Sequence, residues 1–164
     1  MGKWCFSLFG LVALVFACSP VISRQSLKEV DSTVTFQELL KDPERYKGKL
    51  FLLGGQIVTT TIRDGETWVE VLQQPLSWQE RPEDTDLSYG RFLVRFLDFR
   101  DPAIYTAGRK ITVAGEVQGK KVLPLKQIEY NYPVLIPRES YLWRPEAGGG
   151  PFFHIGIGVG GVIR

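Results

Sequence analysis

Hydrophobic positions divide the chain into an apolar leader, a polar stretch, a run of strand-like segments and a glycine-rich end. Leu8 to Phe16 is continuously apolar. Ser19 to Thr33 is polar, with few large apolar residues. Thr35-Phe36-Gln37-Glu38 matches a capping box, so a short helix is expected to start there with Phe36, Leu39 and Leu40 on one face. Pro43 disfavours helical geometry at Asp42, which predicts an end or a tighter turn at that point.

From Lys49 the period shortens to two. Lys49 to Thr61 is rich in Leu, Ile, Val and Thr, and Gly54-Gly55 inside it predicts a bulge or bend. Asp64-Gly65 is a hairpin signal, and Thr67 to Gln73 alternates as a returning strand. Pro75 to Tyr89 reads as a long polar connection. Arg91 to Leu97, Lys110 to Val117 and Val122 to Val134 supply further strands, with Gly119-Lys120 expected to turn between the last two. A short helical segment is expected around Pro102 to Tyr105.

One internal echo runs through this region. Asp42-Pro43-Glu44-Arg45-Tyr46 precedes Gly48, Gly55 and Ile57; Asp101-Pro102-Ala103-Ile104-Tyr105 precedes Gly108, Gly115 and Val117. Each copy combines a helical turn, a Tyr to plug its base and a bent strand. Two copies are too few for a solenoid, but they suit two strands with one structural role. About five strands with short helices point to a mainly β fold, a small OB-like five-stranded Greek-key barrel. An immunoglobulin-like sandwich is the alternative, and it wants about seven strands.

The leader determines compartment. Lys3 supplies a positive charge, the apolar run follows, and Ala17 is small, which is the order of a secretory signal. Trp4 to Ala17 is shorter than the about 20 apolar residues that span a bilayer. Cys18 closes Val15-Phe16-Ala17-Cys18 as a lipoprotein processing site would, with a soluble secreted protein as the competing reading. The expected organisation is therefore a signal peptide at 1–17, a lipidated tether at 18–33, an OB-like domain at 34–143 and an irregular Gly-rich tail at 144–164. Lipid at Cys18 accounts for the thiol left over once Cys5 is removed with the signal. Two acyl signals anchor stably, so a fully acylated Cys18 is expected to hold the chain on a membrane.

Charge and composition exclude more than they select. The formal net charge is +2, and the loss of Lys3 leaves a near-neutral chain, so no nucleic-acid partner is expected. No cofactor, metal or catalytic residue is expected. His154 is the only histidine and lies in the Gly-rich tail without an evident orienting partner. Glu83, Asp84 and Asp86 lack the spacing of a calcium loop and read as a solvated acidic loop. Ile155 to Ile163 alternates glycine with β-branched residues and only superficially resembles a dinucleotide fingerprint. Mobility is the favoured reading of that tail; an added edge strand or an associating surface is the alternative.

Binding is the other function class in view. OB barrels take oligosaccharides or single strands on one face. Trp68, Trp78, Tyr89, Arg91 and Phe92, with Lys120 and Lys121, are candidates for an aromatic and basic surface. Trp68 and Phe92 sit in strand patterns that favour burial, which leaves Trp78, Arg91 and Tyr89 as possible ligand contacts, for instance to cell-wall glycan.

Beyond these single features, several motifs stand in a recognisable order. They are the box ending at Cys18, DPERY–KGK–GGQI, VEVLQQPLSW, GRFLV from Gly90, DPAIYTAGRKITVAGEVQG from Asp101 and YPVLIPRESYLW from Tyr132. Together they resemble the Slp family of outer-membrane lipoproteins. The resemblance implies an outer-membrane lipoprotein with an OB-like periplasmic domain in envelope maintenance or stress. It also implies processing and sorting by the lipoprotein machinery, which Ser19 after the Cys directs to the outer membrane. It brings no catalytic residues.

Overall fold

A computed structural model describes residues 20–145. The signal-like leader, Cys18, His154 and the Gly-rich tail lie outside the described residues. Five strands form a closed barrel in the order β1-β2-β3-β5-β4. They are β1 (Leu50–Arg63), β2 (Glu66–Gln73), β3 (Arg91–Phe96), β4 (Lys110–Leu125) and β5 (Ile128–Leu142). All neighbours are antiparallel except β3 and β5, which run parallel. That order, with five mixed strands and only short helices, is the OB-like barrel expected from the sequence.

The barrel closes because β1 serves two partners. Its first half pairs with β4 and its second half with β2, and the change of partner falls at Gly54-Gly55-Gln56. A Cβ on Gly55 would lie 1.9 Å from the Leu72 carbonyl oxygen, so only glycine lets the strands approach there. Gly54 has a similar duty towards the outside, where a Cβ would meet Leu76 and Pro82 of the long β2–β3 connection. The bulge itself lies slightly later, between Ile57 and Thr59.

The interior is apolar. Val69, Val71, Phe92, Val94, Ile111, Val113 and Leu135 are fully buried. The capping box forms as read: Thr35 Oγ1 accepts from the Glu38 N–H, and Glu38 accepts from the Thr35 N–H at 2.8 Å. The helix it opens, α2 (Phe36–Lys41), presses Phe36 edge-on against Phe92, with ring centroids 6.1 Å apart. Beyond Asp42 the chain tightens into a 3-10 turn, Pro43–Tyr46, as Pro43 requires.

The sequence echo is realised as a local two-fold relation between β1 and β4. Gly48 N–H donates to Val117 O and Gly108 N–H donates to Ile57 O, both at 2.9 Å. Val117 N–H returns to Lys49 O at 3.0 Å and Ile57 N–H returns to Arg109 O at 2.8 Å. Gly48 and Gly108 share the left-handed conformation (φ 78° and 88°) that these turns need. Tyr46 then packs on Phe51 at one end of the ladder and Tyr105 on Phe96 at the other. The expected helical segment at Pro102 to Tyr105 is a single turn, with the Ile104 and Tyr105 N–H groups both on Asp101 O.

Two expectations need correction. Gly119-Lys120 is not the β4–β5 turn: β4 continues to Leu125, and Lys126 (φ 56°) turns the chain into Ile128. Gly119 instead sits at a bulge with φ 112°, where a Cβ would meet Glu44 and Lys47 of the 3-10 turn. It permits close passage of another segment. The described part of the polar stretch, moreover, docks on the barrel. Ile22 is fully buried, and a short helix, α1 (Arg24–Glu29), is held by Glu139 of β5. Ser23 N–H, Ser23 Oγ and Ser26 Oγ all donate to that carboxylate, at 2.8, 2.6 and 2.5 Å.

Candidate functional site

Alternation along β2 and β3 puts one set of side chains inside the barrel and the other on its outer wall. Val69 and Val71 point in, so Glu66, Trp68 and Glu70 point out; Phe92, Val94 and Phe96 point in, so Arg91, Leu93 and Arg95 point out. The outer set forms a lattice of paired charges. Arg95 grips Glu66 with two nitrogens, at 2.8 and 2.5 Å. Arg91 Nη1 meets Glu70 Oε1 at 2.6 Å. The extended part of β5 leans over this wall, and Tyr132 Oη donates to the same Glu70 oxygen at 3.2 Å. Tyr130 Oη accepts from the Arg91 N–H at 2.9 Å, and its ring lies 4.7 Å from that of Tyr132.

Apolar surface fills what remains. Leu93, Tyr132 and Val134 are buried together beneath Trp68, Leu123 and Tyr130. Lys121 Nζ lies 3.8 Å from the Trp68 ring centroid, and Arg95 lies over the ring at 5.4 Å. A shallow cleft of about 190 Å³ remains between the β1–β2 and β4–β5 hairpins, bordered by Thr59, Arg63, Trp68, Glu70 and Lys121. This is the wall, between its two flanking loops, on which OB barrels carry ligands.

Electrostatically the wall is locked. The Glu66 carboxyl is held below its ordinary range, first by the hydrogen bond from Arg95; Arg91 and Arg95 are raised by Glu70 and Glu66. Tyr132 is pushed up, first by burial and then by the Glu70 charge. Each shift strengthens the charge state the group already has at neutral pH. A general acid or base needs the opposite, a pKa drawn towards the working pH. Among the described residues no group of three or more His, Cys, Asp or Glu is placed to hold a metal ion. Of the acidic loop residues, Asp84 pairs with Lys110, while Glu83 and Asp86 face solvent.

The candidate contacts named from sequence are scattered. Arg91 lies on the wall, but its guanidinium is committed to Glu70. Tyr89 is 40 % exposed and its N–H donates to Gln73 Oε1, at the start of the long connection. Trp78 is 81 % exposed on a turn fastened to β4 through Thr112, on another side of the barrel. Phe92 is core. The missed members of the wall are Glu66, Glu70, Arg95, Tyr130 and Tyr132. The period of two along β2 and β3 carries the signal for the first three.

Comparison with known proteins places this geometry. The model of the outer membrane lipoprotein Slp family matches residues 15–151. An uncharacterized protein of Haemophilus influenzae is 32% identical over 140 residues, covering 85% of this chain and 72% of that protein. Among solved structures, Schizosaccharomyces pombe Pot1pC bound to single-stranded DNA is similar, at 12% identity and a TM-score of 0.36. That match covers 72% of this chain and 87% of the other, and a likeness so slight carries no argument about ligand.

Proposed function

The chain belongs to the outer membrane lipoprotein Slp family, and from that premise we propose that it is anchored through lipid on Cys18 and carries a non-catalytic periplasmic barrel in envelope maintenance. One observation carries the reading: the family match begins at residue 15, so it takes in Val15-Phe16-Ala17-Cys18 as well as the barrel. The box that ends at Cys18 and the barrel fall within one family match, which supports reading them as one unit. In this reading the signal is removed before Cys18, the thiol becomes a thioether to diacylglycerol, and the protein faces the periplasm from the inner leaflet. The locked wall agrees with a non-catalytic role, because its titratable groups are paired away from neutrality.

Metabolic labelling with palmitate tests the anchor. The wild type is expected to take up label in the outer-membrane fraction, and Cys18→Ala is expected to lose it entirely. Equal labelling of the two would refute lipidation at this residue.

A second reading, capture of a glycan or peptidoglycan fragment, is favoured by the cleft of about 190 Å³ beside Trp68 on the usual OB ligand wall. Against it, Lys121 already occupies a face of the Trp68 ring that a sugar would stack on. Retention of the wild type on cell-wall material, abolished by Trp68→Ala, would transfer the conclusion to this reading.

A further inference from the structure

We propose that the turn bearing Trp78 is a membrane-contact element, which seats the barrel against the lipid leaflet that holds Cys18. The proposal rests on lipidation of Cys18 and adds to it an orientation and a second point of contact.

Among the described residues Trp78 is the most exposed large apolar side chain, at 81 %, against 62 % for Phe99 and 61 % for Leu97. A single exposed apolar residue is ordinary on a protein surface. Here the turn that presents the indole to solvent is braced along its backbone. Leu76 and Pro82 form a bridge across its base, Ser77 N–H donates to Arg81 O at 2.8 Å, and Glu80 N–H donates to Ser77 O at 2.9 Å. Thr112 Oγ1 ties Glu80 O down to β4 at 2.6 Å.

The same turn receives the N-terminal chain. Ile22 N–H donates to Glu80 Oε2 at 3.0 Å, and the Ile22 side chain is fully buried. Cys18 precedes Ile22 by four residues, and a fully extended chain covers at most about 3.5 Å per residue. A lipid on Cys18 therefore holds Ile22, which is hydrogen-bonded to Glu80 of the Trp78 turn, within roughly 14 Å of the bilayer surface. Tryptophan favours the level of the headgroups, where an apolar ring with a polar edge is satisfied on both sides.

Charge on this side suits the same partner. Arg81 lies over the Trp143 ring at 5.1 Å, and beside it opens a cleft of about 430 Å³ flanked by Arg81, Arg109, Lys110 and Arg144 against Asp84. Arg81 belongs to the Trp78 turn, and although Lys110 pairs with Asp84 the cleft keeps a net positive charge that complements anionic headgroups. Arg144 and Pro145, the last described residues, line that cleft, so both ends of the described chain reach this side.

The test uses the full lipidated protein in vesicles of phosphatidylethanolamine and phosphatidylglycerol with brominated acyl chains, and reads tryptophan quenching. Intact mass first establishes whether Cys18 carries lipid, and thermal unfolding checks that Trp78→Phe folds as the wild type does. The bromine-quenched signal is expected to fall at least roughly twofold in Trp78→Phe, because Trp68 and Trp143 are half-buried and each has a cation over its ring, whereas Trp78 is exposed. Equal quenching in the two lipidated proteins would overturn the proposal and leave the anchor standing. A protein without lipid on Cys18 would overturn both. A Trp78 signal that responds to peptidoglycan fragments and not to brominated lipid would replace the membrane with a glycan.

Discussion

Glycine positions show how tightly single residues are specified in this barrel. At Gly90 the backbone has φ 136°, and a Cβ would lie 2.4 Å from Tyr130 Oη and 2.9 Å from a Leu40 methyl. Gly90→Ala is expected to lower stability in denaturant unfolding by at least about 1–3 kcal/mol, through backbone strain and displacement of Tyr130. Gly65 has a similar positive φ of 82° but nothing within 4 Å, so Gly65→Ala is the milder control. Equal losses at the two sites would contradict the steric account of Gly90. Sequence alone separates these roles poorly. Gly65 follows Asp64 and is read correctly as a turn, whereas Gly119 precedes Lys120 and looks the same. Only the fold shows that the 3-10 turn of Glu44 passes beside it. A glycine needed for close approach has its cause in a segment distant along the chain, which local pattern does not contain.

Among the elements, the N-terminal segment depends most on charge. Glu139 is held below its ordinary pKa, first by hydrogen bonds from Ser23 and Ser26. Asp31 is lowered from 3.8 to about 2, first by Lys49 and then by Thr33. A carboxylate whose folded pKa lies below its unfolded value stabilises above the unfolded value, and that contribution fades as pH falls towards the folded one. The segment from Ile22 to Asp31 is therefore expected to loosen from about pH 4 down to about 2, ahead of the barrel. At neutral pH, Glu139→Ala is expected to reduce amide protection at Ser26 and Leu27 roughly tenfold while Val71 is unchanged. Unaltered protection in the variant would mean that the carboxylate is not what holds the segment. Composition points to a tether here because Ser and other polar residues outnumber the large apolar ones. The partners of Ser23, Ser26 and Glu29 are Glu139 and Arg138 on the distant β5 strand. By contrast, the α2 cap and its end at Pro43 were legible, since both are set by residues within one turn of each other. The wall of β2 and β3 lay between these cases. Alternation gives its face, but the covering Tyr130 and Tyr132 come from a hairpin whose turn was misplaced along the chain.

At the scale of the molecule, a barrel with an apolar core and a locked outer wall is joined to its expected lipid by very little chain. Among the described residues no helix is long and apolar enough to cross a membrane. Attachment in this account comes from Cys18, and closeness to the leaflet from the docking of Ile22 four residues later. The processing site proposed at Cys18 is a local signal, read in order along the chain, and it rests on the sequence. Orientation was not legible, because the Trp78 turn, the Ile22 contact and the basic cleft meet only once the barrel has closed. Intact mass spectrometry of the protein extracted from outer membranes tests the central claim most directly. The account predicts a chain that begins at Cys18 and carries diacylglycerol and a further acyl group on that residue; an unacylated chain, or one that begins elsewhere, would contradict it.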